Sequence, residues 1–169
     1  MEKVIIPSNL LEKEAYAALP PLQKEEYIQN LLVEFLKINP MGLVVSDIQK
    51  NSYLSHSVVW HHLEVLASRG DCLRIERGDA DAYHLNRVID YLPQFDMGEE
   101  NSSYRFAYNL DLVENIYGRF LRIQRLRESR TKAHTIRAGI IIPLNLLDKV
   151  VSNLVEINET LNKGENPKL

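Results

Sequence analysis

Five histidines, at 56, 61, 62, 84 and 134, and one cysteine, Cys72, are the side chains of this chain best suited to ligate a metal or move a proton. Their spacing argues against both roles. His61 and His62 are adjacent, so on a helix they point in different directions, and none of the five pairs with an acid at ligand spacing. A lone Cys72 rules out an internal disulfide and fits a small core residue. Asp79 and Asp81 stand two apart in a stretch rich in turn residues, which needs them without any catalysis. No phosphate-binding glycine loop, dinucleotide turn, HExxH helix or serine elbow occurs. The expectation is therefore no enzyme, no catalytic residue, no metal and no cofactor.

The chemistry that remains is that of binding. In SHSVVWHHLEVLASRG, residues 55–70, Val59, Leu63 and Leu66 recur at helical spacing and define an inner face. His56, Ser57, Trp60, His61 and Glu64 then fall on the opposite face. Hydroxyls and imidazoles donate and accept hydrogen bonds, and an indole can pack on a sugar or a thymine methyl. Trp60 suits a contact with a partner helix equally well. Around this helix, Lys50, Arg69, Arg74 and Arg77 are the cations within reach of a phosphate backbone.

These side chains need elements to hold them. Residues 24–42, KEEYIQNLLVEFLKINPMG, place Tyr27, Ile28, Leu31, Leu32, Phe35 and Leu36 at helical spacing with acids in the first turn, and Pro40 and Gly42 stop the run. VVSDIQKNSYL predicts a short helix capped by Ser46, and Ser55 caps the next, which Gly70 closes. Beyond Gly70 the period changes to two, so CLRIER and AYHLN form a hairpin around RGDADA.

That order, with the Ser-x-Ser-x-Val start, the His-Leu-x-x-Leu core and the Arg-Ile-Glu-Arg-Gly wing ending in Tyr-x-x-Asn, resembles the winged helix-turn-helix of archaeal transcription regulators related to the MarR-like and ArsR-like groups. The resemblance covers Lys24 to Asn86. It implies that the second helix of the motif enters the major groove with its N-terminal residues at base edges. The implied DNA-binding set is Ser55, His56, Ser57, Trp60 and His61 for reading, and Lys50, Arg69, Arg74 and Arg77 for the backbone.

Farther along, SYRFAYNLDLVEN, IYGRFLRIQRLRES and AHTIRAGIIIP read as strands, and Leu146, Leu147, Val150, Val151, Leu154, Ile157 and Leu161 line one face of a closing helix. The expected module is a meander with one face covered by that helix and the other open. On the open face Arg122 and Gln124 alternate with Leu121 and Ile123 and stand beside Phe120, as they would in a platform for unpaired bases. RLRESRTK fits a solvated hairpin tip as well.

Glu114, Asn115, Gly118, Arg119, Phe120, Leu121, Ile123, Ile141, Ile142 and Pro143 make this stretch resemble a PUR repeat, the four-strand-and-helix unit of purine-rich-element binding proteins, over about Tyr104 to Leu161. The resemblance implies a single-stranded nucleic-acid surface or a pairing unit, because such repeats work in twos and one copy per chain calls for a homodimer. The single-strand set it implies is Asn115, Tyr117, Arg119, Phe120, Arg122 and Gln124. Where the family carries Lys-x-Asn-x-Arg, this chain has Val113, Asn115 and Tyr117, which keeps only the asparagine.

The expected fold class is α+β, a winged helix-turn-helix domain followed by a small PUR-like antiparallel sheet with one C-terminal helix. Its divisions are an N-terminal arm at 1–20, a DNA-binding module at 21–88, an acidic linker at 89–102, a PUR-like module at 103–163 and a tail at 164–169. Net charge is −3 overall, but the linker is negative and 103–163 holds ten Lys and Arg against six Asp and Glu. No apolar run reaches the roughly 18–20 residues of a membrane span, and no secretory leader follows Met1, so a cytoplasmic location away from membranes is expected. The expected function is a homodimeric, sequence-specific regulator of transcription on duplex DNA. The competing one is a single-stranded DNA- or RNA-binding or architectural protein whose winged helix makes protein contacts.

One more feature asks for an explanation. VIIPSNLLEK, Val4 to Lys13, is nearly repeated as IIIPLNLLDK, Ile140 to Lys149. The expectation set against chance is that the N-terminal copy adds a strand to the C-terminal sheet of its own or a partner chain.

Overall fold

The computed structural model describes residues 3–92, 105–128 and 134–162. Among them the chain is α+β, with five α-helices, a three-stranded antiparallel sheet and a four-stranded antiparallel sheet. No helix among them is long and apolar enough to cross a membrane.

After the short α1 (Lys13–Ala17) comes α2 (Pro21–Ile38), whose Ile28, Leu31, Leu32, Phe35 and Leu36 are all buried. Pro20 and Pro21 stand at its start. Pro21 is its first residue, where the missing backbone donor has no intrahelical partner to lose. The helix therefore starts one turn before the expected point, and Glu25 and Glu26 lie beyond its first turn.

β1 (Leu43–Val44), α3 (Val45–Lys50) and α4 (His56–Ser68) follow, and then β2 (Cys72–Arg77) and β3 (Ala80–Leu85). α3 starts one residue before Ser46, which is thus not its cap; the Asp47 carboxylate instead accepts from the Val44 N–H at 3.4 Å. Ser55 does cap α4, its Oγ accepting from the Val58 N–H. β2 and β3 join through Gly78–Asp79, and β1 adds to β3, giving the order β1-β3-β2. The shared core runs through α2, α3 and α4 to Cys72 and Tyr83. Burial pushes the Cys72 thiol pKa up, which keeps it protonated and inert.

The N-terminal copy of the repeated phrase packs here and not on the C-terminal sheet. Val4 and Leu10 lie against this core, and Asn39 pairs with both backbone groups of Ile5, accepting from its N–H and donating to its carbonyl. The Tyr27 hydroxyl accepts from the Leu11 N–H. No strand forms between residues 3 and 42, so the arm is a buttress for α2.

β4 (Arg87–Tyr91), β5 (Arg105–Asn115), β6 (Gly118–Glu128) and β7 (His134–Pro143) form the second sheet in chain order. β4 occupies the end of the expected DNA-binding module and the start of the expected linker; from residue 93 that linker lies outside the described residues, as do 129–133 of the expected hairpin tip and the tail. A 3-10 turn (Leu144–Leu146) leads into α5 (Leu147–Asn162), which buries none of its residues. The expected closing helix therefore does not cover the sheet. Leu146, Val151, Leu154, Val155, Ile157 and Leu161 are all exposed, Leu154 by 59%.

Candidate nucleic-acid interface

α4 is amphipathic by sequence, and the structure divides its faces accordingly. Val59, Leu63 and Leu66 are buried, whereas His56, Ser57 and His61 are exposed and Trp60 is half exposed. Ser55 and Ser57 share a hydroxyl contact of 3.1 Å, which orders the first turn. The five reading residues thus lie together on one accessible surface at the N-terminal half of the helix. His62 points the other way into the protein, and burial lowers its pKa, with His61 beside it acting in the same sense.

The four expected backbone cations fare differently. Lys50, at the end of α3, and Arg77, at the end of β2, are exposed. Arg74 is tied to Glu64 at 3.0 Å and to Asp81 at 3.7 Å. Glu64 also accepts from the Tyr83 hydroxyl at 2.6 Å, so the β2–β3 hairpin is braced against α4 and Glu64 is withdrawn from solvent-facing chemistry. Arg69 lies at the far, C-terminal end of α4 and donates to Gln29 at 3.0 Å. It does not belong with the reading face.

The expected single-strand platform is not open. Asp111, Val113, Arg122, Gln124, Gly139 and Ile141 share the face of the second sheet that meets the turn Arg69–Gly70–Asp71 after α4. Arg122 is buried; its Nη2 and Nε donate to Asp111 at 2.8 and 3.2 Å, and its Nη1 donates to Asp71 at 2.9 Å. Gln124 Nε2 donates to the Arg69 carbonyl at 2.8 Å and to Asp71 at 3.1 Å. Phe120 is buried beside them. Asn115 donates to Asn86 at 2.7 Å, and the Tyr117 hydroxyl lies 3.3 Å from His84 Nε2. Of the six, Tyr117 and Arg119 are exposed and Asn115 is half-buried, and Arg119 stands 3.7 Å from Glu114.

The misplacement has a simple cause. Alternation along β6 separates Phe120, Arg122 and Gln124 from Leu121 and Ile123, but it does not say what covers each face. Asp71, Asn86 and Asp111, which make the polar side of this contact, stand in a turn, between β3 and β4, and in β5, where a single sequence offers no signal. On the opposite face, Leu110, Leu112, Leu121, Ile123, Ile140 and Ile142 form an apolar band, with Ile140 63% exposed. At one end of that face Arg125 lies over the Phe106 ring, 3.9 Å from its centroid.

No group of His, Cys, Asp and Glu among the described residues could hold a metal ion. Comparison with family models, with curated proteins and with solved structures finds no match to this chain.

Proposed function

We propose that this protein is a homodimeric regulator that binds specific duplex DNA through a winged helix-turn-helix formed by residues 21–88, and that it acts without catalysis or cofactor. The observation that carries this reading is α4. One side is sealed in the core, and the other presents Ser55, His56, Ser57, Trp60 and His61 from a capped first turn, flanked by Lys50 and by Arg77 at the wing. A helix so placed fits a major groove, where such side chains distinguish base edges. Pairing of chains is supported by α5, an amphipathic helix with its apolar stripe uncovered, and by the apolar band on the sheet face away from α4. Monomers rarely leave that much apolar surface in water. The PUR-like module would be the pairing unit.

A second reading, single-strand binding, rests on Phe106, Tyr108 and Arg125 at one end of that same face, where an aromatic ring and a guanidinium already stack. Competition separates the two. A duplex selected from a random library should displace labelled duplex better than either of its single strands, and His61→Ala or Trp60→Ala should weaken binding roughly 10- to 100-fold. Equal competition by single strands, with both variants binding as the parent does, would overturn the duplex reading.

A further inference from the structure

The turn that ends α4 is held by the second sheet at three successive residues. The Arg69 carbonyl accepts from Gln124, and Gly139 packs against it so closely that an added Cβ would stand 2.0 Å from the oxygen. Gly70 adopts a φ of 74°, with the Arg122 stem and Ile141 beside it, and its carbonyl accepts from Asn86. Asp71 accepts from both Arg122 and Gln124, while Asp111 holds Arg122 from within the sheet. Arg122 is thus a buried cation shared by two carboxylates, one on each side of the junction. The guanidinium bonds both carboxylates at once through different nitrogens, which makes the junction discriminating in geometry.

Nothing in α4's own packing requires this attachment, since its core face is already complete within α2, α3 and the three-stranded sheet. What the attachment adds is a fixed attitude of α4 to the module that pairs the chains. We propose that Asp71, Arg122 and Gln124 are positioning residues that transmit the geometry of the dimer to the two recognition helices, and so set the spacing between half-sites on duplex DNA. This rests on the duplex-binding, homodimeric reading above. In a two-fold dimer the separation of recognition helices dictates half-site spacing. A loose junction would let one dimer accept several spacings; the Asp71–Arg122 clasp restricts it to one.

The test is selection of duplexes from a library of inverted half-sites with variable spacers, using the full chain. The parent should enrich one spacing. Asp71→Ala, which removes the carboxylate's bonds to Arg122 and Gln124 but leaves Arg122 bound to Asp111 and Gln124 to the Arg69 carbonyl, should lower the preference for that spacing over its neighbours about tenfold. Its affinity for an isolated half-site and its mass by light scattering should stay those of the parent, and Asp71→Glu should restore part of the preference. If Asp71→Ala loses its cooperative melting transition, Asp71→Asn, which keeps the side chain's shape but removes its charge from the clasp, is read the same way. A variant that folds and enriches the parent's single spacing overturns the clasp; a parent that enriches no duplex overturns the duplex reading itself.

Discussion

Arg122 shows how far one residue's meaning depends on what lies across from it. By type and alternation it belongs on an open strand face, where an arginine next to an aromatic ring suits unpaired bases; with Asp71 and Asp111 facing it, the same side chain becomes a buried tie. His84 makes the complementary case. It is buried between Gly42 and Tyr117, whose ring meets it edge-on at 4.9 Å, and burial lowers its pKa. His62 is lowered for the same first reason. Both imidazoles are held neutral in the folded protein, while in the unfolded chain they titrate near 6.5. Below that pH the unfolded state binds more protons, so stability is fully present above about 6.5 and declines as pH falls toward the folded-state values. Thermal melts at pH 7.5 and pH 5.0 should show a lower midpoint in acid, and His84→Phe should flatten the dependence. An unchanged midpoint in the parent would mean that neither imidazole is held neutral by the fold.

Elements were legible where burial follows a period. The inner stripes of α2 and α4, the Ser55 cap and the switch to period two after Gly70 all follow from local chemistry, and the three-stranded sheet needed only the two residues of β1 in addition. β4 escaped because RVIDY, residues 87–91, sits next to a proline and an acidic run whose composition reads as a connector; its pairing with β5 is a non-local fact. The repeated phrase divides along the same line. Both copies carry the proline and the leucine pair, yet only the second follows a paired strand; the first lies against α2 through Asn39 and Tyr27. α5 is the opposite case, a helix expected from its stripe whose apolar side no described residue buries. Its apolar residues at 147, 150, 154, 157 and 161 make a continuous stripe along one side. Burying that stripe against a second copy would stabilise the pair, and a carboxylate in its middle would have to be desolvated. Leu154→Glu should therefore shift the mass in solution from twice the 19.5 kDa chain to the single chain, with the melting of the first module little changed. A parent that is already monomeric at high concentration would remove the pairing unit from the proposed function.

For the molecule as a whole, charge sets a limit on the proposed binding of duplex DNA. Residues 21–88 carry seven Lys and Arg against nine Asp and Glu, and Arg74 and Arg69 are engaged within the protein. Lys50 and Arg77 are the expected phosphate contacts still exposed near the reading face. The excess of cations lies in the other module, where Arg122 is consumed by the clasp. On the proposed duplex-binding function few phosphates are neutralised per chain, and affinity comes from base contacts and from engaging two half-sites at once, the second at high effective concentration because the first is bound. Two cations from each of two chains neutralise about four phosphates, which gives a slope of about −3.6 for log K against log salt on duplex DNA, well short of the slope of about −10 seen for a strongly electrostatic repressor. Fluorescence anisotropy on a two-site duplex between 50 and 300 mM salt measures it. Lys50→Ala should reduce the magnitude by about 2, one phosphate in each half-site, while a single half-site should bind far more weakly with about half the parent slope. A slope near −8 would mean that the basic C-terminal module also lies on the backbone, and that the sheet contributes to DNA binding as well as to pairing.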